Sequence, residues 1–391
     1  MLTVVGCDGG PLPRGALEAI AAATLLVGGA RHLAAVPDGV AEPVVLGDVG
    51  AAVARLAAHD GPAVVLASGD PGFFGIVRAL RRAGLTPTVL PAASSVAHAF
   101  ARIGEPWEDA VVVSAHGRDL RRAVNVCRAH RKVAVLTGPG AGPRELAEAL
   151  RGLNRRIVVA SRLGTPQERV GGPADAADPN VTLVLGDVDP GGAPRWLAGA
   201  APTAAGWALP ESSFEHRNSM ITKVEVRALV LARLGPRLGD LVWDVGAGSG
   251  SVAVECVRLG AAAVAVERHP AGCAMIEGNA RRHGVDVQVV AGTAPAVLTG
   301  LPDPDAVFVG GGGAAVLAAC LARRPARVVA AFATLERVGP ALAALGTNGY
   351  AAAGTQLQAN RLTPLPDGGH RLTATNPVHV IWGELTGERE E

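Results

Sequence analysis

The chain has 391 residues, more than a single hydrophobic core usually serves, so two domains are expected. Hydrophobic residues make up 49% of the chain and aromatic residues only 3%, which suits α/β units built on valine, leucine and alanine. With 36 basic and 35 acidic residues, the formal net charge is +1. No global electrostatic field therefore draws the protein to nucleic acid or to a membrane surface.

The positions of the cysteines, histidines and apolar residues argue against disulfide-rich, metal-binding and membrane-spanning proteins. The five cysteines are scattered without a C-x-x-C pair, and the ten histidines show neither H-x-x-x-H nor H-E-x-x-H spacing. These patterns argue against a disulfide framework and predict no metal site. No apolar run reaches the ~18 residues of a membrane span. The sequence therefore predicts a cytoplasmic protein with no metal and no membrane partner.

The first half alternates strand-like and helix-like segments, which indicates an α/β domain with a mostly parallel sheet in at least its first part. Strands are predicted at residues 2–5, 63–67, 111–114, 133–136, 157–160 and 181–185. Helices are predicted at residues 14–23, 51–58, 96–103 and 144–150.

A segment rich in glycine, proline and alanine, residues 186–206, follows this half. It has no apolar periodicity and many residues that break helices and strands, so it is the natural linker. The predicted organisation is a first domain at residues 1–188, a linker at 189–205 and a second domain at 206–391.

The second half alternates more regularly. Its predicted strands are residues 241–245, 263–267, 287–290, 306–309 and 327–331. The clearest helix is 270–283, where Pro270 fits the first helical position. Two β-like segments, 355–365 and 378–385, are separated by Pro-Asp-Gly-Gly and predict a terminal antiparallel hairpin.

A glycine-rich loop, Gly-Ala-Gly-Ser-Gly at residues 246–250, lies between the strand at 241–245 and a helix-compatible run. Strand, glycine turn and helix present backbone N–H groups to a cofactor, and glycine lets the ligand approach closely. Glu267 ends the next strand about twenty residues on, where an acidic side chain accepts hydrogen bonds from ribose hydroxyls. The G-x-G-x-G spacing favours S-adenosylmethionine (SAM); a nicotinamide site or a purely structural turn is the alternative.

Further motifs surround this loop: L-P-E-S-S-F at 209–214, M-I-T-K-V-E-V-R at 220–227, G-T-A-P at 292–295 and V-G-G-G-G at 309–313. Together they resemble the C-terminal methyltransferase of the decarboxylating precorrin C5,15-methyltransferases of cobalamin synthesis. The 220–227 block is more specific than the glycine loop. The resemblance covers nearly all of residues 206–391.

The first half carries A-S-G-D-P-G-F-F-G at 67–75, P-A-A-S-S at 91–95, A-F-A-R-I-G-E-P-W at 99–107 and S-A-H-G-R at 114–118. These motifs are similar to those of tetrapyrrole methylases, the partner domain in the same fusion. The resemblance thus implies a tetrapyrrole methylase fold of two α/β subdomains, followed by a class I Rossmann-like SAM methyltransferase.

One loop departs from this family. Its members usually have G-x-G-P-G after the first strand, whereas this chain has Gly6-Cys7-Asp8-Gly9-Gly10. Glycine keeps the loop flexible. Asp8, however, is expected to add a carboxylate near the cofactor or a polycarboxylate substrate.

The resemblance implies SAM as methyl donor, with one site in each domain and no metal. In the second domain the implied SAM-binding residues are Thr222, Gly246, Ala247, Gly248, Ser249, Gly250, Glu267 and Ala294. In the first domain they are Ser68, Gly69, Asp70, Phe73, Ser94 and Ser95. Thr222 would contact the methionine part of SAM; a helix N-cap is an alternative role for it.

The implied substrate is an acidic tetrapyrrole, which a neutral chain must bind through local cations. Arg31, Arg118, Arg217 and Arg361 are the candidates because they lie beside the motif loops; a solvated charge is the alternative for each. His116 is a candidate for contacting substrate or moving a proton, with a structural role as the alternative.

The resemblance implies methylation of a precorrin-6B type precursor at carbons 5 and 15, with decarboxylation of the carbon 12 acetate to a precorrin-8 type product. One alternative is a single-activity methyltransferase whose first half only binds substrate. Another is a methyltransferase of other small molecules or nucleic acid; the absence of an N-P-P-Y-type motif and of a basic patch weighs against nucleic acid. A homo-oligomer is expected.

Overall fold

The computed structural model describes residues 1–36, 41–186, 198–199, 206–217 and 221–387. These form two compact units, the first made of Met1–Arg118, Lys132–Ala149 and Arg155–Gly199, and the second of Asp119–Arg131, Leu150–Asn154 and Ala200–Glu391. The predicted linker lies outside the described residues except at 198–199, as does Met220 of the 220–227 motif. No helix in the described ranges is long and apolar enough to span a membrane.

The first unit begins with a five-stranded, fully parallel sheet of order β3-β2-β4-β1-β5. Its strands are β1 (Leu2–Cys7), β2 (Leu25–Gly28), β3 (Glu42–Val45), β4 (Ala63–Ser68) and β5 (Thr88–Leu90). The helices between them are α1 (Ala16–Ala22), α2 (Ala30–Leu33), α3 (Val49–Ala57) and α4 (Val77–Arg82). Strands β1, β2 and β4 are buried on both faces, as continuous apolar runs in parallel sheets require.

A second, mixed sheet of order β6-β7-β10-β8-β9 follows in the chain. Its strands are β6 (Val111–Ser114), β7 (Lys132–Leu136), β8 (Arg156–Ser161), β9 (Arg169–Gly171) and β10 (Asn180–Leu185). The helices of this stretch are α5 (Ser95–Ile103), α6 (Leu120–Ala129) and α7 (Pro143–Ala149), of which α6 is counted with the second unit. Only β6 and β7 pair in parallel.

The second unit is built on a seven-stranded sheet of order β13-β12-β11-β14-β15-β19-β16. The strands of this unit are β11 (Leu241–Val245), β12 (Ala262–Glu267), β13 (Gln288–Ala291), β14 (Ala306–Val309), β15 (Arg327–Phe332), β16 (Tyr350–Leu357), β17 (Asn360–Pro364), β18 (His370–Ala374) and β19 (Val378–Leu385). Its remaining helices are α8 (Val224–Leu234), α9 (Ser251–Arg258), α10 (Pro270–Arg282), α11 (Gly313–Leu321) and α12 (Val338–Thr347). Strands β11 to β15 pair in parallel, and β19 pairs antiparallel with both of its neighbours, β15 and β16.

Strand β11 lies at the centre of this sheet and contributes to the core on both faces. Leu241, Trp243 and Val245 pack into one apolar cluster, whereas Val242 packs into the cluster on the opposite face. This alternation follows from the two-residue period of a strand. The same geometry fixes the end of β11, where the glycine loop begins.

The predicted fold class is confirmed, but the predicted terminal hairpin is wrong in its bounds. β16 and β19 do pair antiparallel at the end of the sheet. The segment 355–365, however, belongs to two strands, because β16 ends at Leu357 and β17 begins at Asn360. The Pro-Asp-Gly-Gly turn instead joins β17 to β18 in a separate two-stranded hairpin, the β17–β18 hairpin. Asp367 accepts the Gly369 N–H there, and Gly368 has a φ of 85°.

Candidate functional site

The glycine loop follows β11 as predicted, and all three of its glycines adopt left-handed backbone: φ is 77° at Gly246, 57° at Gly248 and 73° at Gly250. Residues that carry a side chain rarely adopt this left-handed backbone conformation. A Cβ at Gly246 would lie 3.0 Å from the backbone nitrogen of Gly311. The loop therefore touches the glycine run 310–313, which explains why two separate glycine motifs occur in one domain.

Glu267, at the end of β12, is 7% exposed and faces this loop. Its Oε2 accepts the Gly248 N–H at 2.9 Å, and its Oε1 accepts the His269 N–H at 2.9 Å. A carboxylate has about four lone-pair sites, so both oxygens retain capacity for a ligand hydroxyl. The structure thus fixes this carboxylate at the edge of the loop.

Two cavities meet at the glycine loop. The first, the β12 cavity, has a volume of about 660 Å³ and the second, the hairpin cavity, about 680 Å³. Both are lined by Gly246, Gly248 and Ser249. Of the other residues predicted to bind SAM in this domain, the β12 cavity contains Glu267 and Ala294, and the hairpin cavity contains Thr222 and Ala247.

Gly250, also predicted to bind SAM, lines neither of these two cavities. It is the N-cap of α9, and a Cβ there would lie 2.8 Å from the Ile276 side chain on α10. Its glycine is therefore explained by helix packing. The neighbouring Gly248 differs, because no atom lies within 4 Å of a Cβ built on it.

The 220–227 motif contributes residues that line the hairpin cavity and a buried arginine that holds them in place. The N-cap of α8 is Lys223, so the alternative N-cap role for Thr222 is wrong; the helix starts one residue later than that role requires. Arg227 is fully buried, pairs with the equally buried Glu255 at 2.9 Å, and donates to the Thr222 carbonyl at 2.6 Å. Sequence reasoning missed Arg227 and Glu255 as the residues that hold this motif in place.

Arg361 lines the hairpin cavity, but its charge is already paired. From β17 it contacts Glu211 at 2.6 Å and Glu225 at 2.7 Å. The Arg361 guanidinium lowers the pKa of Glu225; burial raises the pKa of Glu211, but the bond from Arg361 and backbone N–H groups lower it overall. The structure therefore makes Arg361 a link between the β17–β18 hairpin and α8.

Asp244 is a buried acid on β11 that sequence reasoning passed over, although it stands only two residues before the glycine loop. It lines the hairpin cavity, and its Oδ2 accepts the Ala253 N–H at 3.0 Å. In the described part of the chain its Oδ1 has no hydrogen-bond partner. Burial raises the pKa of Asp244 to about 7; the Ala253 N–H opposes this rise and the Glu267 charge adds to it.

The raised pKa of Asp244 predicts a pH-dependent stability. The folded protein retains a proton that the unfolded chain loses above pH ~4, so the free energy of unfolding should fall as the pH rises from ~4 through ~7. Asp244→Asn is neutral throughout, and over this range wild type should lose roughly 2–4 kcal/mol relative to it. Chemical denaturation of both proteins across pH measures this difference; parallel curves would contradict the prediction.

In the first unit, a smaller cavity of about 170 Å³, the β4 cavity, lies where β1 and β4 end. Of the predicted residues it contains Ser68, Gly69, Ser95 and Arg31. Arg31 donates to the Ser68 hydroxyl at 2.6 Å, so this candidate arginine does reach the predicted cofactor loop. The structure thus brings part of the predicted first-domain site together.

Three other predicted first-domain residues have local structural contacts. Ser94 is the N-cap of α5 and accepts the Ala97 N–H at 3.1 Å. Asp70 accepts the Gly72 N–H at 2.8 Å, as in a tight turn, and Phe73 packs against the buried apolar cluster around Phe100.

Contacts of Asp8 and Gly9 explain why the loop at residues 6–10 differs from the family pattern. The Asp8 carboxylate accepts the Gly10 N–H at 3.0 Å and pairs with His98 at 3.3 Å, so it is not a free charge. Gly9 has a φ of 89°, and a Cβ there would lie 1.9 Å from the Gly164 carbonyl oxygen. Glycine in place of the family's proline thus matches a close approach of two loops.

The remaining candidates divide between the cavities and the surface. Arg217 is exposed but lines the β12 cavity. His116 and Arg118 are exposed and do not line the β4 cavity; a Cβ on Gly138 would lie 2.5 Å from the His116 imidazole. No group of three or more potential metal ligands occurs among the described residues.

Comparison with known proteins places these two sites in a family context. Residues 2–178 match the tetrapyrrole (corrin/porphyrin) methylases, and residues 212–381 match the precorrin methyltransferase domain. The chain is 41% identical over 334 residues to the precorrin-6Y C(5,15)-methyltransferase [decarboxylating] of Sinorhizobium sp, covering 80% of this chain and 78% of that relative. This chain belongs to the precorrin-6Y C(5,15)-methyltransferase family.

Two shorter relatives carry one activity each in their names. A cobalt-precorrin-7 C(5)-methyltransferase of Salmonella typhimurium is 41% identical over 184 residues, covering 44% of this chain and 89% of the relative. A probable cobalt-precorrin-6B C(15)-methyltransferase (decarboxylating) of Pyrobaculum calidifontis is 36% identical over 189 residues, covering 44% of this chain and 93% of the relative.

Proposed function

We propose that this protein uses SAM to methylate a precorrin-6B type precursor at carbons 5 and 15 and removes CO₂ from the carbon 12 acetate, yielding a precorrin-8 type product. The domain at residues 1–188 carries out the carbon 5 step and the domain at 206–391 the carbon 15 step with decarboxylation, joined by the linker 189–205. The observation that supports this most is the pair of cavities that share the glycine loop after β11.

The residues of the second domain fit SAM. A Cβ built on Gly248 meets open space, so the loop leaves room for a ligand against its backbone. Glu267 is positioned to accept ribose hydroxyls, Ala294 lines the cavity for adenine, and Thr222 lies in the cavity proposed for the methionine part. When bound, SAM supplies an electrophilic methyl group.

The hairpin cavity suits an acidic tetrapyrrole. Besides Lys223 it is lined by Thr363, Thr373, Thr375 and Asn376, which supply hydroxyl and amide groups for carboxylates. Arg217 and Arg31, which line the other two cavities, are the better-placed candidates for a substrate carboxylate. Arg361 holds the hairpin that carries two of these threonines, because its own charge is paired with Glu211 and Glu225.

The first domain is proposed to be a second catalyst with its own SAM site at the β4 cavity. Asp8 bears on the alternative in which the first half is not a catalyst, since an unpaired carboxylate beside the cofactor loop would disfavour an acidic substrate at the site of methyl transfer. The Asp8 carboxylate accepts the Gly10 N–H and contacts the His98 imidazole, so it is not a free charge in the cavity. The contact of Arg31 with Ser68 adds a cation to the same cavity.

Incubation of the full-length protein with SAM and metal-free precorrin-6B tests this function. Mass spectrometry of the product should show a gain of two methyl groups and the loss of one CO₂. A product with a single methyl group and loss of CO₂ would instead support the single-activity alternative. A parallel incubation with the cobalt-bearing precursor shows which form is the substrate.

We also infer that the protein forms a homo-oligomer. β16 is an edge strand of the seven-stranded sheet, and its residues 351–356 are exposed and uncharged. Leu362 and Leu372 face each other on the β17–β18 hairpin and are 70% and 67% exposed. An uncharged edge and an exposed apolar pair favour association. Light scattering on the purified protein measures its mass.

A cytoplasmic location and the absence of a nucleic-acid partner stay predictions.

A further inference from the structure

Asp8 and His98 form a side-chain pair that the proposed SAM site does not use. Asp8 follows β1 and His98 lies on α5, ninety positions later, yet Oδ2 and Nε2 are 3.3 Å apart. Both side chains are mostly buried, at 19% and 23% exposure, and both line the β4 cavity beside Ser68 and Gly69. An imidazole oriented by a carboxylate next to a cofactor loop is a typical general-base arrangement.

The carbon 5 reaction requires a proton acceptor for reasons of atom balance. Carbon 5 forms a bond to the methyl carbon while the methyl–sulfur bond breaks and its electron pair stays on sulfur. The carbon then bears both a methyl group and its original hydrogen. The C–H bond must break, returning its electron pair to the macrocycle, and one proton leaves.

We propose that His98 is the catalytic residue that accepts this proton and that Asp8 orients it. This inference rests on the proposed carbon 5 activity of the first domain. With Nε2 directed at the Asp8 carboxylate, Nε2 carries the hydrogen and Nδ1 is the nitrogen that receives the proton. In the described part of the chain Nδ1 has no hydrogen-bond partner. The carboxylate then stabilises the imidazolium that forms.

The surrounding charges support this assignment. Burial raises the pKa of Asp8, but the Gly10 N–H and His98 lower it overall, so the carboxylate is ionised at neutral pH. The Glu168 carboxylate is near enough to interact with the charge of His98, but it forms an ion pair with Arg102. Arg31 also lines this cavity. His98 is thus held by the ionised Asp8 carboxylate in the cavity that Arg31 also lines.

The test compares wild type with His98→Asn and Asp8→Asn in the full-length protein, measuring single-turnover carbon 5 methylation with unlabelled substrate and with substrate deuterated at carbon 5. His98→Asn should slow product formation about 10²-fold without changing the SAM concentration that gives half of the maximal single-turnover rate. Proton removal then becomes slow, so a deuterium isotope effect larger than that of wild type should appear. Asp8→Asn should also slow the reaction and change its pH profile, because the amide does not fix the same imidazole tautomer.

His59→Asn is the matched control, since His59 belongs to the same unit but contacts Thr24 on its surface at 2.8 Å. It should leave both the rate and the isotope effect unchanged. A wild-type rate in His98→Asn, or a slower rate without any increase in the isotope effect, overturns the proposal. Absence of a carbon 5 methyl group in the wild-type product overturns instead the proposed function of the first domain, and carbon 15 methylation in the same sample shows that the protein was active.

Discussion

Gly246→Val is expected to abolish SAM binding in the second domain and carbon 15 methylation with it. Gly246 has a φ of 77°, which a β-branched residue does not tolerate, and its Cβ would lie 3.0 Å from the Gly311 nitrogen and 3.1 Å from the Gly311 Cα. Both neighbours are backbone atoms, so the clash cannot be relieved by a side-chain rotation. The loop shared by the β12 and hairpin cavities must move.

Calorimetry on the full-length protein should show one SAM-binding event fewer, and product analysis should show no carbon 15 methyl group. Gly284→Val is the control: its φ is 64°, but no atom lies within 4 Å of a Cβ built there, and it lines neither cavity. Gly284→Val therefore introduces the same strain of a side chain at positive φ, but no clash with neighbouring backbone atoms. A folded Gly246→Val protein with normal carbon 15 turnover would exclude the glycine loop as the SAM site.

Glu267→Gln should weaken SAM binding in the second domain by about 1–3 kcal/mol, or about 5- to 150-fold. The wild-type carboxylate accepts hydrogen bonds from the Gly248 and His269 N–H groups. An amide retains one acceptor oxygen and turns an NH₂ group toward a donor, so one of these bonds is lost. The change removes the charged acceptor proposed for the ribose and also loosens the loop that holds it.

Titration calorimetry measures this affinity, and Glu277→Gln is the matched control. Glu277 lies exposed on α10, so its substitution changes the net charge equally without touching either cavity. Equal affinities in wild type and Glu267→Gln would remove Glu267 from the site. Equal losses in both variants would show that net charge, not the specific contact, determines SAM affinity.

Sequence reasoning predicted most of the second domain because its signals are local. A buried, mostly apolar run, three glycines and an acidic residue at the end of the next strand define β11, its loop and β12 without reference to distant parts of the chain. The β17–β18 hairpin was missed because the Pro-Asp-Gly-Gly turn was read as one long connection. The break between residues 357 and 360 carries no strong turn signal of its own.

The first-domain site was less predictable, since several of its motif residues proved to be local structure. Ser94 and Asp70 accept backbone N–H groups within three residues of themselves. Such contacts are common uses of serine and aspartate at helix starts and turns. A motif therefore marks where the cleft lies without showing which of its side chains face a ligand.

The sequence by itself determined the two α/β halves, the family and the position of the glycine loop, because strand burial and turn chemistry depend on neighbours in the chain. Only the tertiary structure decided which charges are paired. Arg361 meets Glu225 across 136 positions, and Asp8 meets His98 across ninety. Such contacts depend on which strand ends and helices pack together, and the free energy of an ion pair depends on burial that no local pattern encodes. For the same reason, Gly9 in place of the family's proline became understandable only when Gly164 was found against it.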